Sequence, residues 1–99
     1  MPAYFIAHGT VKDQAKLDQY IASSAPFVAA AGGELVATGN VHAVLVGDHP
    51  HQRVTVFKFP DISAARAWFD TSGYQALKPL RTDAADFTFL IFDDSSGNA

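Results

Sequence analysis

Apolar positions change their spacing several times along the chain, and each change marks an element. Residues 3–10 read Ala-Tyr-Phe-Ile-Ala-His-Gly-Thr, a short aromatic and branched run that predicts a strand. The period then lengthens: Leu17, Tyr20, Ile21, Ser24, Val28 and Ala31 fall on one helical stripe, with Asp13 placed to cap its start. Pro26 lies inside that stripe and, lacking a backbone donor, predicts a kink or a split. Gly32-Gly33 then stops the helix, because glycine takes the left-handed C′ conformation without strain.

Two strand-like runs follow, Glu34–Thr38 and Val41–Val46, separated by Gly39-Asn40. That pair is read as a tight hairpin turn or as a bulge bending one long strand, and the bent strand is preferred. Residues 47–52 carry turn chemistry, Arg53–Phe59 is another strand, and Pro60-Asp61 opens a helix with Ile62, Ala65, Trp68 and Phe69 on one face. Ser72 and Gln75 match a capping box for a further short helix running towards Arg81, and Asp86–Phe92 is the last strand. One domain over residues 1–93 and a polar, frayed tail over 94–99 are expected.

The resulting order is strand, helix, strand, strand, helix pair, strand. This predicts an α+β fold on the ferredoxin-like split βαβ plan with an antiparallel sheet. Alternation along the strands sharpens the picture. Tyr4, Ile6 and His8 oppose Phe5 and Ala7; Val54, Val56 and Lys58 oppose Thr55, Phe57 and Phe59; Phe87, Phe89 and Ile91 oppose Thr88, Leu90 and Phe92. Both faces are largely apolar, whereas a sheet with one solvated face alternates apolar and polar. Helices cover one face, and a second copy of the chain is the simplest cover for the other, so a homodimer with its sheets face to face is expected.

Composition agrees. Charged residues are 17% of the 99 and hydrophobic ones 48%, eight of them Phe, against about 25% charged in an average soluble domain. No cysteine is present, which removes disulfides, thiolate ligands and a cysteine nucleophile. The net charge is −3 and the seven cations are scattered, so a nucleic-acid partner is not expected. No apolar run approaches the about 18 residues of a membrane span. The start lacks a basic stretch followed by an apolar one, so a cytoplasmic location is the expectation.

The run from Ala67 to Arg81 carries Trp68, Ser72, Tyr74-Gln75 and Arg81 in a pattern that resembles the "AWYxSxxYQxxxxxR" core of the Domain of Unknown Function 1330 family. Tyr20, Pro26, Gly32-Gly33, Gly47-Asp48 and Phe59-Pro60 extend the resemblance over roughly residues 3–92. Gly39-Asn40 stands where that family usually has two glycines, and its usual "VEG" ending is missing from the last strand. The resemblance implies a dimeric α+β barrel. That superfamily includes cofactor-free monooxygenases, muconolactone isomerase-like enzymes and small polyketide cyclases, whose ligands commonly sit between helices and sheet. The family itself brings no settled activity, and a shared fold does not assign one.

Candidate chemistry is sparse. His8, near the end of the first strand, titrates in the neutral range and is the candidate catalytic acid/base; the competing reading is a half-buried histidine bonded to a carbonyl. Arg81 offers a planar fork for a carboxylate or enolate, and Tyr74 falls on its helical face, so both are candidate substrate-binding residues. Their bland reading is a Tyr hydroxyl tied to backbone and Arg81 paired with Asp83 or Asp86. Trp68 is a further candidate ligand contact, though a lone helical Trp is first a packing residue. Ser72 has a cap to make and no nucleophile elbow around it. His42, His49 and His51 match no established ligand spacing, so no metal is expected. No phosphate loop or dinucleotide fingerprint is present, and no cofactor is expected.

Two functions remain. One is a small-molecule-binding homodimer doing cofactor-independent proton transfer (isomerase, cyclase or lyase) on a small organic acid or aromatic metabolite, with His8 as acid/base and Arg81, Tyr74 and Trp68 holding the substrate. The other is a non-catalytic ligand-binding or protein-interaction module of the same fold.

Overall fold

A computed structural model describes residues 1–96. Its elements are β1 (Ala3–Val11), α1 (Gln14–Ala30), β2 (Glu34–Asn40), β3 (Arg53–Phe59), α2 (Ile62–Asp70), α3 (Ser72–Gln75), α4 (Lys78–Ala84) and β4 (Ala85–Asp93). The four strands form one sheet in the order β2-β3-β1-β4, every neighbouring pair antiparallel. This is the ferredoxin-like α+β plan. Among the described residues no helix is long and apolar enough to cross a membrane.

The start of α1 is capped as expected: the Asp13 carboxylate accepts from the Lys16 backbone N–H at 3.1 Å. At its end Gly32 takes φ 81° and donates to the Ala29 carbonyl, while Gly33 donates to that of Val28. This is the Schellman arrangement. The helix is not split at Pro26. The proline forfeits one bond, to the Ala22 carbonyl, and both residues are exposed, so water can satisfy the freed oxygen.

Three sequence expectations need correction. Val41–Val46 is not a strand. The ladder of β2 with β3 ends at Asn40 opposite Arg53, where β3 begins; among the described residues a single backbone bond, from the Val41 N–H to the Gln52 carbonyl, continues it. Gly39-Asn40 is therefore neither a hairpin turn nor a bend; the register irregularity sits between Leu35 and Ala37. Thr71, not Ser72, caps α3, its hydroxyl accepting from the Tyr74 N–H. Nor does one helix run from residue 72 to Arg81: Pro79 has no N–H for the Gln75 carbonyl, and the chain turns at Ala76-Leu77 before α4 begins.

The register sorts the side chains. Facing the helices are the rows Phe57–Phe5–Ile91, Thr55–Ala7–Phe89 and Arg53–Gly9–Phe87. On the opposite, open face lie Lys58–Tyr4–Phe92, Val56–Ile6–Leu90 and Val54–His8–Thr88. The core is on the helix side: Phe5, Leu17, Tyr20, Val28, Phe59, Ala65, Trp68 and Tyr74 are buried together. On the open face Leu90 and Phe92 remain 41% and 44% exposed. The tail starts tied down, the Asp94 N–H donating to the Pro2 carbonyl at 2.9 Å; its last residues, 97–99, lie outside the described residues.

Candidate functional site

The helix layer covers the sheet unevenly. Helix α1 packs most closely against α4, and every residue of β2 is exposed. On β1 the helix-facing positions shrink from Phe5 to Ala7 to Gly9. A Cβ on Gly9 would stand 2.7 Å from the Phe87 ring, so no side chain fits there. Small residues in the sheet and a displaced helix together leave a cavity of about 250 Å³ between α1 and the sheet. Its walls include Phe5, Leu17, Phe57, Trp68, Phe87 and Phe89. A second hollow of about 220 Å³ opens on the other side of Trp68, beside Arg66 and Asp70.

Polar groups reach the larger cavity from two sides. From α1 comes Tyr20, whose hydroxyl is 2.6 Å from that of Tyr74. Tyr74 in turn accepts from Arg81 Nη1 at 3.1 Å. Guanidinium only donates. When the Tyr74 hydroxyl donates to the Tyr20 oxygen, the Tyr20 O–H remains available for another acceptor. Burial, then the Tyr74 hydroxyl, pushes the Tyr20 hydroxyl well above the usual tyrosine range, with Arg81 opposing weakly. Tyr20 therefore stays protonated at neutral pH. From the sheet come Arg53 and the hydroxyls of Thr38 and Thr55, which are 2.8 Å apart. Among the described residues no Asp, Glu, His or Lys lines this cavity.

Arg81 does not line it. Its guanidinium lies 5.8, 5.7 and 5.4 Å from the ring centres of Phe69, Tyr74 and Phe89. Asp83 and Asp86, the partners considered for it from sequence, instead pair with Lys16 and Lys12. The Tyr74 hydroxyl likewise bonds Tyr20 and Arg81 and not backbone. Trp68 is 3% exposed and borders both hollows, and its buried Nε1 has no hydrogen-bond partner among the described residues.

His8 is elsewhere. It points to the open face, where the segment between β2 and β3 folds back over the sheet end. Its Nδ1 lies 2.7 Å from His49 Nε2. His49 Nδ1 lies 2.9 Å from the His51 carbonyl, which can only accept, so that nitrogen carries the proton. His49 Nε2 is then the acceptor and His8 Nδ1 the donor, which leaves His8 Nε2 as a lone pair. His51 completes the cluster, bridging Thr10 at 3.0 Å and Thr88 at 3.1 Å. Among the described residues no group of three or more His, Cys, Asp or Glu converges on a metal position.

Burial first, then His49 and His51, lowers the His8 pKa below its ordinary value. The unfolded chain, with histidine near 6.5, then binds more protons than the folded one just below that pH. The stability contributed by neutral His8 is present above about pH 6.5 and is lost as pH falls through its folded value. Thermal unfolding should show the melting temperature dropping between pH 7 and pH 5.5, with a shallower drop in His8→Gln. Equal slopes in the two proteins would contradict the assignment.

The sequence candidates thus separate. Trp68, Tyr74 and Arg81 come together, Arg81 reaching Tyr74 across the turn between α3 and α4 and not along the single helix expected, while His8 is on the other side of the sheet. Two residues with a stronger geometric claim, Tyr20 and Arg53, were not singled out as site residues. Tyr20 read as one more member of an apolar stripe. Arg53 had a legible signal: a guanidinium at the first position of a strand, alternating in phase with Thr55 and Phe57.

Comparison with known proteins follows the same lines. The model of the family described as "Domain of unknown function (DUF1330)" matches residues 2–95. No curated protein sequence matches the chain. Among solved structures, a protein of unknown function from Rhodopseudomonas palustris superposes with TM-score 0.74 at 18% identity, over 92% of this chain and 80% of that one. SnoaB, a cofactor-independent oxygenase from Streptomyces nogalater, gives 0.68 at 18% over 93% and 91%. A dimeric ferredoxin-like protein of unknown function from Thermobifida fusca gives 0.58 at 22% over 93% and 90%. At these identities the likeness is one of fold.

Proposed function

Because the chain belongs to the DUF1330 family, whose description carries no activity, we propose a function from the cavity itself: the protein binds a small, largely apolar organic molecule between α1 and the sheet. The observation that carries this is an aromatic-walled space of about 250 Å³ reached by the Tyr20 hydroxyl at the end of the Tyr20–Tyr74–Arg81 chain. Sites for drug-sized ligands span roughly 300–1,000 Å³, so a molecule with one ring and a short chain suits this one. Tyr20, held protonated, donates to a carbonyl or phenolic oxygen of the guest, and the unpartnered Trp68 N–H lies close by. Among the described residues no carboxylate or imidazole lines the cavity, so none of them offers it a general base. That favours the ligand-binding reading over base-catalysed isomerisation or cyclisation, and His8 could act only on a molecule lying on the open face.

The same reading includes a homodimer. The row Val56–Ile6–Leu90 and the exposed Phe92 leave an apolar open face, and the Thermobifida fusca protein of this fold is dimeric.

Backbone amide shifts read during titration with neutral single-ring compounds such as p-cresol test the site. Changes should concentrate on Leu17, Tyr20, Phe57 and Phe89 and vanish in Ala25→Trp, which plugs the mouth of the cavity from α1. Changes confined to Ile6, His8 and Leu90 would place binding on the open face and end the proposal.

A further inference from the structure

We infer that Arg53, not Arg81, is the anion anchor of the helix–sheet cavity, and that its ligands are therefore aromatic carboxylic acids. This rests on the cavity reading above and adds the polar end of the guest.

Arg53 is the first residue of β3 and sits between Gly9 on β1 and Asn40 on β2, an interior position of the sheet. Alternation points its side chain to the helix side with Thr55 and Phe57, and all three line the cavity. It is half-buried, yet among the described residues it makes no ion pair and no side-chain hydrogen bond. A guanidinium held at an apolar wall has lost part of its hydration and has no protein carboxylate to replace it. Arg81 is the contrasting case: one N–H is committed to Tyr74, and its cation faces three aromatic rings.

The surroundings of Arg53 suit a carboxylate. Thr38 and Thr55 share one hydrogen bond between their hydroxyls, so one of the two protons remains free for an outside acceptor. Away from this corner the walls are Phe5, Phe89 and Trp68, which suit a ring. The cavity is thus polar and cationic at the β2–β3 side and aromatic elsewhere. A guest with its carboxylate at Arg53 and its ring against Phe5 and Phe89 matches both halves.

The test is a matched pair of nearly isosteric probes, 3-phenylpropanoate and 3-phenylpropanamide, titrated by calorimetry at pH 7.5 into the wild-type protein, Arg53→Gln and Arg53→Lys. The carboxylate should bind wild type at least about tenfold more tightly than the amide, in line with the larger worth of hydrogen bonds to charged groups. That ratio should fall to about one in Arg53→Gln, the carboxylate losing far more affinity than the amide, and recover in part in Arg53→Lys, which keeps the charge and loses the fork. A ratio near one in wild type, or a tenfold ratio that survives Arg53→Gln, overturns the assignment of Arg53 and leaves the cavity reading standing. Failure of both probes to bind any of the three proteins overturns the cavity reading and this inference together.

Discussion

Trp68→Ala is expected to remove about 3–5 kcal/mol of stability, the usual cost of deleting a buried large aromatic. The indole is 3% exposed and joins four neighbours: Phe5 on β1 at 4.9 Å between ring centres, Phe59 on β3 at 5.6 Å, Phe69 on α2 at 6.0 Å and Tyr74 on α3 at 4.6 Å. It is the side chain through which α2 and α3 meet the central strands. Its ring neighbours sit on four different elements and would close only part of the vacated space. For a domain of this size each kcal/mol shifts the melting temperature by about 4–8 °C, so a drop of more than about 12 °C is expected in a thermal melt. Trp68→Phe keeps a ring in the same place and removes an N–H that has no partner, so it should retain most of the lost stability. A loss below about 1 kcal/mol in Trp68→Ala would show that the aromatic cluster holds without its centre.

The second large effect is on assembly. Ile6→Lys should convert the proposed homodimer to a monomer. Ile6 stands between Val56 and Leu90 in the middle row of the open face. In a two-fold interface one substitution acts twice. Two ammonium groups would be desolvated at a cost of several kcal/mol each, which corresponds to association more than about a hundredfold weaker. Sedimentation at low micromolar concentration should give twice the chain mass for wild type and the single mass for the variant. A monomeric wild type, or a variant that stays dimeric, would refute the face-to-face arrangement. The strap over the sheet end bears on this interface too. His49 and His51 bind His8, Thr10 and Thr88, so they cover one corner of a face that the sequence left wholly bare, while Leu45 and Val46 nearby stay 92% and 93% exposed.

Some of the fold was legible because its causes are local. The Asp13 cap, the Gly32 stop and the bounds of Arg53–Phe59 depend on residues a few positions apart, and all three appear as expected. The alternation of Phe5 against Tyr4 and Ile6, or of Phe57 against Val56, is equally local and assigned side chains correctly to two faces. The errors share a different origin. Val41–Val46 has the composition of a strand, yet a strand exists only beside a partner, and past the Asn40–Arg53 pair the ladder continues by one backbone bond, Val41 to Gln52. Thr71 and Ser72 both carry a capping hydroxyl, and the geometry of the turn after α2 selects the first.

The candidate site divides in the same way. The sequence alone determined an α+β chain with two apolar sheet faces; Arg81 meets Tyr74 across the turn at Ala76-Leu77 and not along one helix. Tertiary structure alone decided which face the helices cover, and so put His8 on one side of the sheet and Arg81 on the other. It also decided that α1 packs towards α4, leaving a cavity over Ala7 that Tyr20 and Arg53 line. The physical reason is range: caps, turns and alternation are settled within a few residues, whereas a cavity is the space left between elements distant in the chain, and no short window of sequence contains it.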